Sequence, residues 1–372
     1  MKKQQKIRYA VVGLGYISQI AVLPAFKNAK NSELTALVSG NPGKLKKLGK
    51  MYKVKHLVNY EGYEALLHSG LIDAVFIALP NDQHRVFAEK AAEAKIHVLC
   101  EKPMAVSSAD CSAMIESAEK NHVKLMVAYR LHFEEANLKS IDIVKSGKIG
   151  EPRLFNSTFT MPVKDRGIRL RPTKQGGGPL YDIGIYCINA ARYLFRSEPV
   201  EVQAISANSG KKPFREIDEA ISVLMRFPSE RLATFTCSFG TADVDRYQVV
   251  GTKGDLLVEN AYTFHGKKCW YLTIREKTTS KIFSSRDQFA PELIYFSDCI
   301  LKNKKPEPSG QEGLADIQII EAIFQSLQSK KPVLIRPKQK EQPVEPPQEI
   351  TRPEGKEPEL IEIEKPSAEE AA

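Results

Sequence analysis

Ile7-Arg8-Tyr9-Ala10-Val11-Val12-Gly13-Leu14-Gly15-Tyr16-Ile17-Ser18 is the stretch on which the reading of this chain turns. A short apolar run stops at a glycine-rich turn, and Gln19 to Lys27 then reads as helix despite Pro24. Strand, Gly-x-Gly turn and helix, in that order, let backbone amides approach a pyrophosphate at a helix N-terminus. Ser18 stands at the third position of the pattern, where glycine or alanine is usual. With these flanks Gly13, Gly15, Tyr16 and Ile17 are expected to line a dinucleotide; the alternative is a plain tight turn.

A second strand, Leu34 to Val38, would end in an acidic residue if a ribose 2′-hydroxyl had to be bound. The chain reads instead Ser39-Gly40-Asn41-Pro42-Gly43-Lys44, followed by Lys46 and Lys47. A hydroxyl and an ammonium suit a 2′-phosphate, which a carboxylate would repel. NADP is therefore the expected cofactor, with Ser39 and Lys44 as its 2′-phosphate contacts. Lys46 and Lys47 read as the exposed face of a helix from Pro42 to Met51.

Strand and helix signals go on alternating. His56 to Asn59 is a weak strand, Tyr63 to His68 a helix, and Ile72 to Leu79 a continuous apolar strand of the kind buried in a parallel sheet. Pro80-Asn81-Asp82-Gln83-His84 follows, with Asn81 either an N-cap or a cofactor contact and His84 a candidate cofactor contact. The next strand ends in Val98-Leu99-Cys100-Glu101-Lys102-Pro103-Met104. Pro103 lacks an amide donor and biases Lys102 towards an extended or turn conformation, so charge is presented at a strand's carboxyl end. Ligands of open α/β sheets bind at that edge, which makes Lys102 the first candidate for chemistry. Helix Ser108 to Lys120 and strand Lys124 to Ala128, ending in Tyr129-Arg130, complete a doubly wound parallel sheet of about six strands over residues 1–130.

After a helix at Asn137 to Ser146 the pattern changes. Arg153 to Met161, Val200 to Ala207, Ala220 to Phe227, Leu232 to Phe239, Tyr247 to Val250, Leu256 to Glu259 and Trp270 to Arg275 alternate as strands separated by short turns. The expectation is a second, mostly antiparallel sheet domain over residues 131–337, closed by helices Pro291 to Leu301 and Glu312 to Ser329. One face of such a sheet has few local helices to cover it, so a homo-oligomer, dimer or tetramer, is expected. Residues 338–372, rich in Pro, Glu and Lys, are expected to be a disordered tail.

Between the first two strands of that domain lies Gly176-Gly177-Gly178-Pro179-Leu180-Tyr181-Asp182-Ile183-Gly184-Ile185-Tyr186-Cys187-Ile188-Asn189. On a helix Asp182, Tyr186 and Asn189 share one face. A carboxylate, a phenol and an amide together are unlike a core stripe, and a phenol beside an ammonium such as that of Lys102 can exchange a proton near neutrality.

Bulk properties narrow the function classes. An apolar fraction of 42% and a charged fraction of 27% are those of a soluble globular chain, and no apolar run approaches the roughly 20 residues of a membrane span. No export signal is evident, so a cytoplasmic location is expected. Six scattered cysteines, with no Cys-x-x-Cys pair, argue against a zinc site and a disulfide framework. The net charge of +9 is spread out, with no basic-aromatic module for nucleic acid. The segment from Lys338 holds five Lys/Arg against ten Glu, which leaves the body more basic still and suited to a phosphate-bearing ligand.

Taken together, GLGYIS, LVSGN, LPNDQH, CEKPM and GGGPLYDIGIYCINAARYLF resemble the Gfo/Idh/MocA oxidoreductases, and within them the glucose–fructose oxidoreductase branch, over residues 7 to 336. The resemblance implies an N-terminal Rossmann domain, Lys102 as catalytic lysine, Tyr186 as acid/base in place of the histidine of most members, and Asp182 as a substrate-positioning group. It also implies cofactor contacts at Ser39, Lys44, Asn81, His84, Glu101, Tyr129, Arg130 and Arg169, although the tryptophan expected before Arg169 is Ile168. A leader and N-terminal arm like those of the branch's exported members are not expected. The implied activity is NADP-dependent oxidation or reduction of a sugar or polyol carbinol carbon; the alternative is a non-catalytic NADP-binding regulator on the same fold.

Overall fold

The computed structural model describes residues 5–163, 167–336 and 346–363. Two compact units emerge, the first from residues 5–130, 287–314 and 352–363, the second from 131–286 and the described part of 315–351.

In the first unit the strands are β1 (Ile7–Val12), β2 (Ser32–Val38), β3 (His56–Val58), β4 (Ala74–Ile77), β5 (His97–Glu101) and β6 (Leu125–Ala128). They form one parallel sheet in the order β3-β2-β1-β4-β5-β6. β4 is buried throughout, as a central parallel strand covered on both faces must be. Between β1 and β4 the order reverses, and a crevice outside the carboxyl ends of strands opens at such a point. Gly13 follows β1, Ser39 follows β2, Asn81 lies just beyond β4, Lys102 follows β5 and Tyr129-Arg130 follow β6.

Helix Ala290–Leu301 belongs to this unit rather than to the later domain expected from chain order. Its Ser297 hydroxyl lies 2.8 Å from both Tyr9 OH and Ser32 Oγ, and Asn31 Nδ2 donates to Ile294 O at 2.9 Å. With Leu293 and Phe296 buried beside these bonds, the helix caps the sheet that chain order separates it from.

Nine strands make the second unit's sheet: β7 (Pro152–Thr160), β8 (Glu201–Ala207), β9 (Ala220–Phe227), β10 (Arg231–Ser238), β11 (Val244–Gly251), β12 (Gly254–Glu259), β13 (Lys268–Ile274), β14 (Lys277–Phe283) and β15 (Val333–Leu334). Their order is β14-β13-β12-β11-β7-β10-β9-β8-β15, antiparallel except for the parallel pair β7 and β10. Alternation is clean where one face is packed: in β9, Ile221, Val223, Met225 and Phe227 are buried while Ser222, Leu224 and Arg226 are exposed. Helix Ile185–Phe195 and residues 315–329 belong to this unit, where Ser326 Oγ accepts from the Ala204 N–H at 3.1 Å. The opposite face leaves Leu154, Ile205, Leu224 and Leu232 exposed.

Of the tail expected to be disordered, residues 338–345 and 364–372 lie outside the described residues. Residues 346–363 differ from that expectation. The Ile350 N–H donates to Phe133 O, Arg352 O accepts from the Asp287 N–H, and both backbone groups of Ile361 bond the Gln19 side chain. Composition averages over a segment, whereas a few backbone bonds and partly buried Leu360 and Ile361 suffice to seat an extended chain. No described helix is long and apolar enough to cross a membrane.

Candidate active site

The Gly13-x-Gly15 turn works by close approach. Gly13 has φ +93°, and a Cβ there would lie 2.3 Å from the Ala78 carbonyl oxygen at the end of β4. Its N–H donates to Val38 O at 2.9 Å, so the turn is tied into β2 as well. Gly15, by contrast, has nothing within 4 Å of its Cβ direction, and that open side is where a pyrophosphate could meet the turn. Ser18 spends its hydroxyl on Gly13 O at 2.6 Å, so it closes the turn from within. The helix that follows widens into a π-turn at Ser18–Val22, and Pro24 is accommodated in the short α-turn after it. Tyr16 and Ile17 are half-buried at the head of this helix.

At the end of β2, Ser39 is buried and its hydroxyl accepts from the Asn41 N–H at 3.2 Å. Asn41 caps helix Pro42–Tyr52 by accepting from the Lys44 N–H at 3.0 Å. A capped helix start, a strand-end hydroxyl and half-buried Lys44, with no carboxylate at the strand end itself, suit a 2′-phosphate. The glycine turn and this corner together fit a phosphorylated dinucleotide.

His84, expected as a cofactor contact, follows Asn81 at the start of helix His84–Glu93. It is fully buried, with Nδ1 2.9 Å from Pro103 O and Nε2 2.9 Å from Leu79 O. Burial pushes its pKa down against the pull of those carbonyls. Both ring nitrogens lie against backbone carbonyls, to one of which a neutral imidazole donates, so His84 braces the turn after Lys102 against the end of β4. Asn81, half-buried, opens a 3₁₀ turn and does not cap the helix after it.

Glu101 closes β5 and is buried; its Oε2 accepts from the Lys102 N–H at 3.2 Å, which fixes the backbone as Lys102 leaves the sheet half-exposed. Tyr129 and Arg130 are buried, and Arg130 Nη1 donates to Gln288 Oε1. Glu292, which no sequence signal singled out, is 1% exposed with neither carboxylate oxygen hydrogen-bonded. Burial, then the charge of Glu101, pushes its carboxyl well up against the opposing pull of Arg130.

In the second unit a π-turn, Leu180–Gly184, leads into helix Ile185–Phe195. Asp182 and Tyr186 are half-buried, whereas Asn189 is buried and donates to Asp316. The Tyr186 ring packs edge-on to Phe159 at 5.7 Å and lies 5.9 Å from Tyr262. A Cβ on Gly177 would fall 1.8 Å from Arg171 O, so only glycine lets the turn Ile168–Leu170 lie against the head of this helix. There Arg169 Nε donates to Asp182 Oδ2, a pairing not foreseen from sequence, where Arg169 was expected to reach the cofactor. Deeper along the same helix Arg192 is clamped between Glu198 Oε1 and Asp316 Oδ1, each at 2.7 Å. Among the described residues no group of His, Cys, Asp or Glu is arranged to hold a metal ion.

The profile of an oxidoreductase family with an NAD-binding Rossmann fold matches residues 7–129, and that of the Gfo/Idh/MocA C-terminal domain matches residues 138–257. The chain belongs to the Gfo/Idh/MocA oxidoreductase family. Among relatives in this family, a D-xylose 1-dehydrogenase [NADP(+)] of Haloarcula marismortui is 30% identical over 334 residues, 88% of this chain and 92% of that protein. The crystal structure of an aldose-aldose oxidoreductase from Caulobacter crescentus complexed with glycerol superposes with TM-score 0.85 at 35% identity, covering 89% of this chain and 100% of that one. A 3-ketoreductase from Actinomadura kijaniata, solved with NADP and TDP-benzene, gives TM-score 0.80 at 25% identity over 87% and 98% of the two chains.

Proposed function

We propose that this Gfo/Idh/MocA chain is an NADP-dependent oxidoreductase acting on a CH–OH group of a sugar or polyol. The observation that carries the reading is Lys102, presented half-exposed at the carboxyl end of β5 in the same row of strand ends as the glycine turn and the Ser39 corner. Relatives named for NADP and for aldose or xylose chemistry support it.

The nicotinamide, when bound, takes or gives the hydride. In the oxidative direction the carbinol carbon loses hydride, its hydroxyl loses a proton, and a carbonyl results. Tyr186 is the group that takes that proton, and Lys102 is the catalytic lysine. Asp182, oriented by Arg169, accepts a hydrogen bond from a neighbouring substrate hydroxyl. Glu101 and His84 position the Lys102 turn from below. The reading extends to a cytoplasmic location, which suits six free thiols, and to a homo-oligomer formed through the open face of the nine-stranded sheet.

Titration of the purified protein with NADP and NAD, followed by reduced-nicotinamide absorbance on addition of a panel of aldoses and polyols, tests it. Tighter binding of NADP and reduction with at least one sugar are expected. A preference for NAD, or no reduction by any member of the panel, overturns the proposal.

A further inference from the structure

The corner suited to a 2′-phosphate already holds an anion that comes from the chain's own C-terminal segment. Glu362 Oε2 accepts from Asn41 Nδ2 at 3.0 Å, and Oε1 accepts from Lys47 Nζ at 3.1 Å. A Cβ built on Gly43 would lie 2.9 Å from Glu362 Oε1, so the carboxylate sits directly on the first turn of helix Pro42–Tyr52. Lys47 and Asn41, with a smaller pull from Lys44, hold its carboxyl below its ordinary pKa. The segment is anchored to this first unit near both of its ends. Asp287 N–H donates to Arg352 O at 3.1 Å and Asn28 Nδ2 to Pro353 O at 3.1 Å. At the other end Gln19 clasps Ile361, donating to its O at 3.1 Å and accepting from its N–H at 2.7 Å. Gln19 itself is buried in the helix that follows the glycine turn. Residues 352–363 thus run as a strap that ends on the N-terminus of the helix after β2.

We propose that this strap is an internal competitor of the cofactor: the Glu362 carboxylate stands where the 2′-phosphate of NADP binds, and NADP must displace it. The proposal rests on the NADP reading given above. Asn41 and Lys47 flank the Ser39 and Lys44 corner in the chain, and a carboxylate left on them would repel the phosphate. The contact is built to yield. Lys47 and Glu362 keep 57% and 39% of their side-chain surface exposed, so the pair is weak and screened by salt. A phosphate brings more charge and three acceptor oxygens to the same donors. NAD has only a 2′-hydroxyl, which can donate to the carboxylate. The docked strap therefore narrows the preference for NADP over NAD.

The test is equilibrium binding by calorimetry, with the full-length protein, Glu362→Gln, and a chain ending at Arg336. Affinity falls in proportion to the fraction of molecules with a free corner, so a strap docked about nine-tenths of the time weakens NADP about tenfold. Both variants should bind NADP about three- to tenfold more tightly than the wild type at low salt, with no gain for NAD. Adding NADP, but not NAD, should also expose residues 352–363 to limited proteolysis in the wild type. If both variants bind NADP no more tightly than wild type, or NADP leaves the strap as protected as before, the competitor proposal is overturned while the cofactor reading stands. If all three proteins bind adenosine 2′,5′-bisphosphate no better than adenosine 5′-monophosphate, the cofactor reading fails and the strap proposal with it.

Discussion

The two glycines of the first turn should fail in different ways when each is replaced by alanine. At Gly13 the backbone is at φ +93°, where a side chain costs about 1–3 kcal/mol. The added Cβ would also lie 2.3 Å from the Ala78 oxygen and 2.9 Å from its carbonyl carbon, backbone atoms that cannot swing aside. Ala78 N–H donates to Val12 O at 2.8 Å and Gly13 N–H to Val38 O at 2.9 Å, so relief means loosening β1 from both neighbours. Overpacking of this kind adds about 1–3 kcal/mol, for a total of about 2–6 kcal/mol. That is a large share of the roughly 5–15 kcal/mol by which domains are stable. At Gly15 no atom lies within 4 Å of the new methyl, and stability should stay within about 0.5 kcal/mol of wild type. The methyl instead occupies the approach of the pyrophosphate. Loss of charge-assisted bonds to the turn should weaken NADP by about 1.5–3 kcal/mol, on the order of 10- to 100-fold. Urea unfolding and calorimetric titration of the same two variants give both numbers. A Gly13→Ala protein as stable as wild type, or a Gly15→Ala protein with unchanged NADP affinity, would refute the division of labour.

Other expectations follow from single observations. Lys102→Met and Tyr186→Phe should each cut turnover by about 10²–10⁴, with the double variant little worse than either, because groups that move one proton together are non-additive; multiplicative losses would mean they act separately. His97 Nδ1 accepts from the Lys124 N–H at 3.0 Å, and burial, then Lys124, lowers its pKa to about 4. The folded pKa is depressed, so this stability is full above the ordinary 6.5 and is lost as pH falls towards 4; the span is worth about 3 kcal/mol. His97→Gln should show a correspondingly shallower acid loss in that window by urea unfolding, and an unchanged slope would count against it. Light scattering should give at least a dimer at micromolar concentration, with or without residues 338–372; a monomeric mass would leave the open sheet face unexplained.

Much of the chain's architecture is local and therefore readable without coordinates. The apolar run before Gly13 and the continuous run Ile72 to Leu79 are patterns in neighbouring residues, and they specify buried parallel strands wherever the chain goes. Helix Ser108–Lys120 falls where it was expected, and the structure adds its cap, Ser107, which accepts from the Asp110 N–H. The carboxyl-end positions of Gly13, Ser39, Asn81 and Lys102 follow from strand direction alone.

What remained hidden depended on partners distant in sequence. β14 is exposed except at Phe283 and so carries no apolar alternation to detect. Its hairpin turns through Arg275 and Glu276 at φ 48° and 67°, without the glycine or asparagine that usually marks such a turn. Helix Ala290–Leu301 was legible as a helix, but its serine bonds to Tyr9 and Ser32 decided which sheet it covers. His84 and Arg169 were expected as cofactor contacts, and only tertiary packing could show one against two backbone carbonyls and the other on Asp182. The strap shows the same limit most plainly. Glu362 is one glutamate among ten in a segment whose composition argues for disorder, and nothing within several residues of it signals a site. Its place on Asn41 and Lys47 is set by Gln19, more than three hundred residues away, because a chain's local pattern determines what a segment can form while the satisfaction of its polar groups determines where it rests.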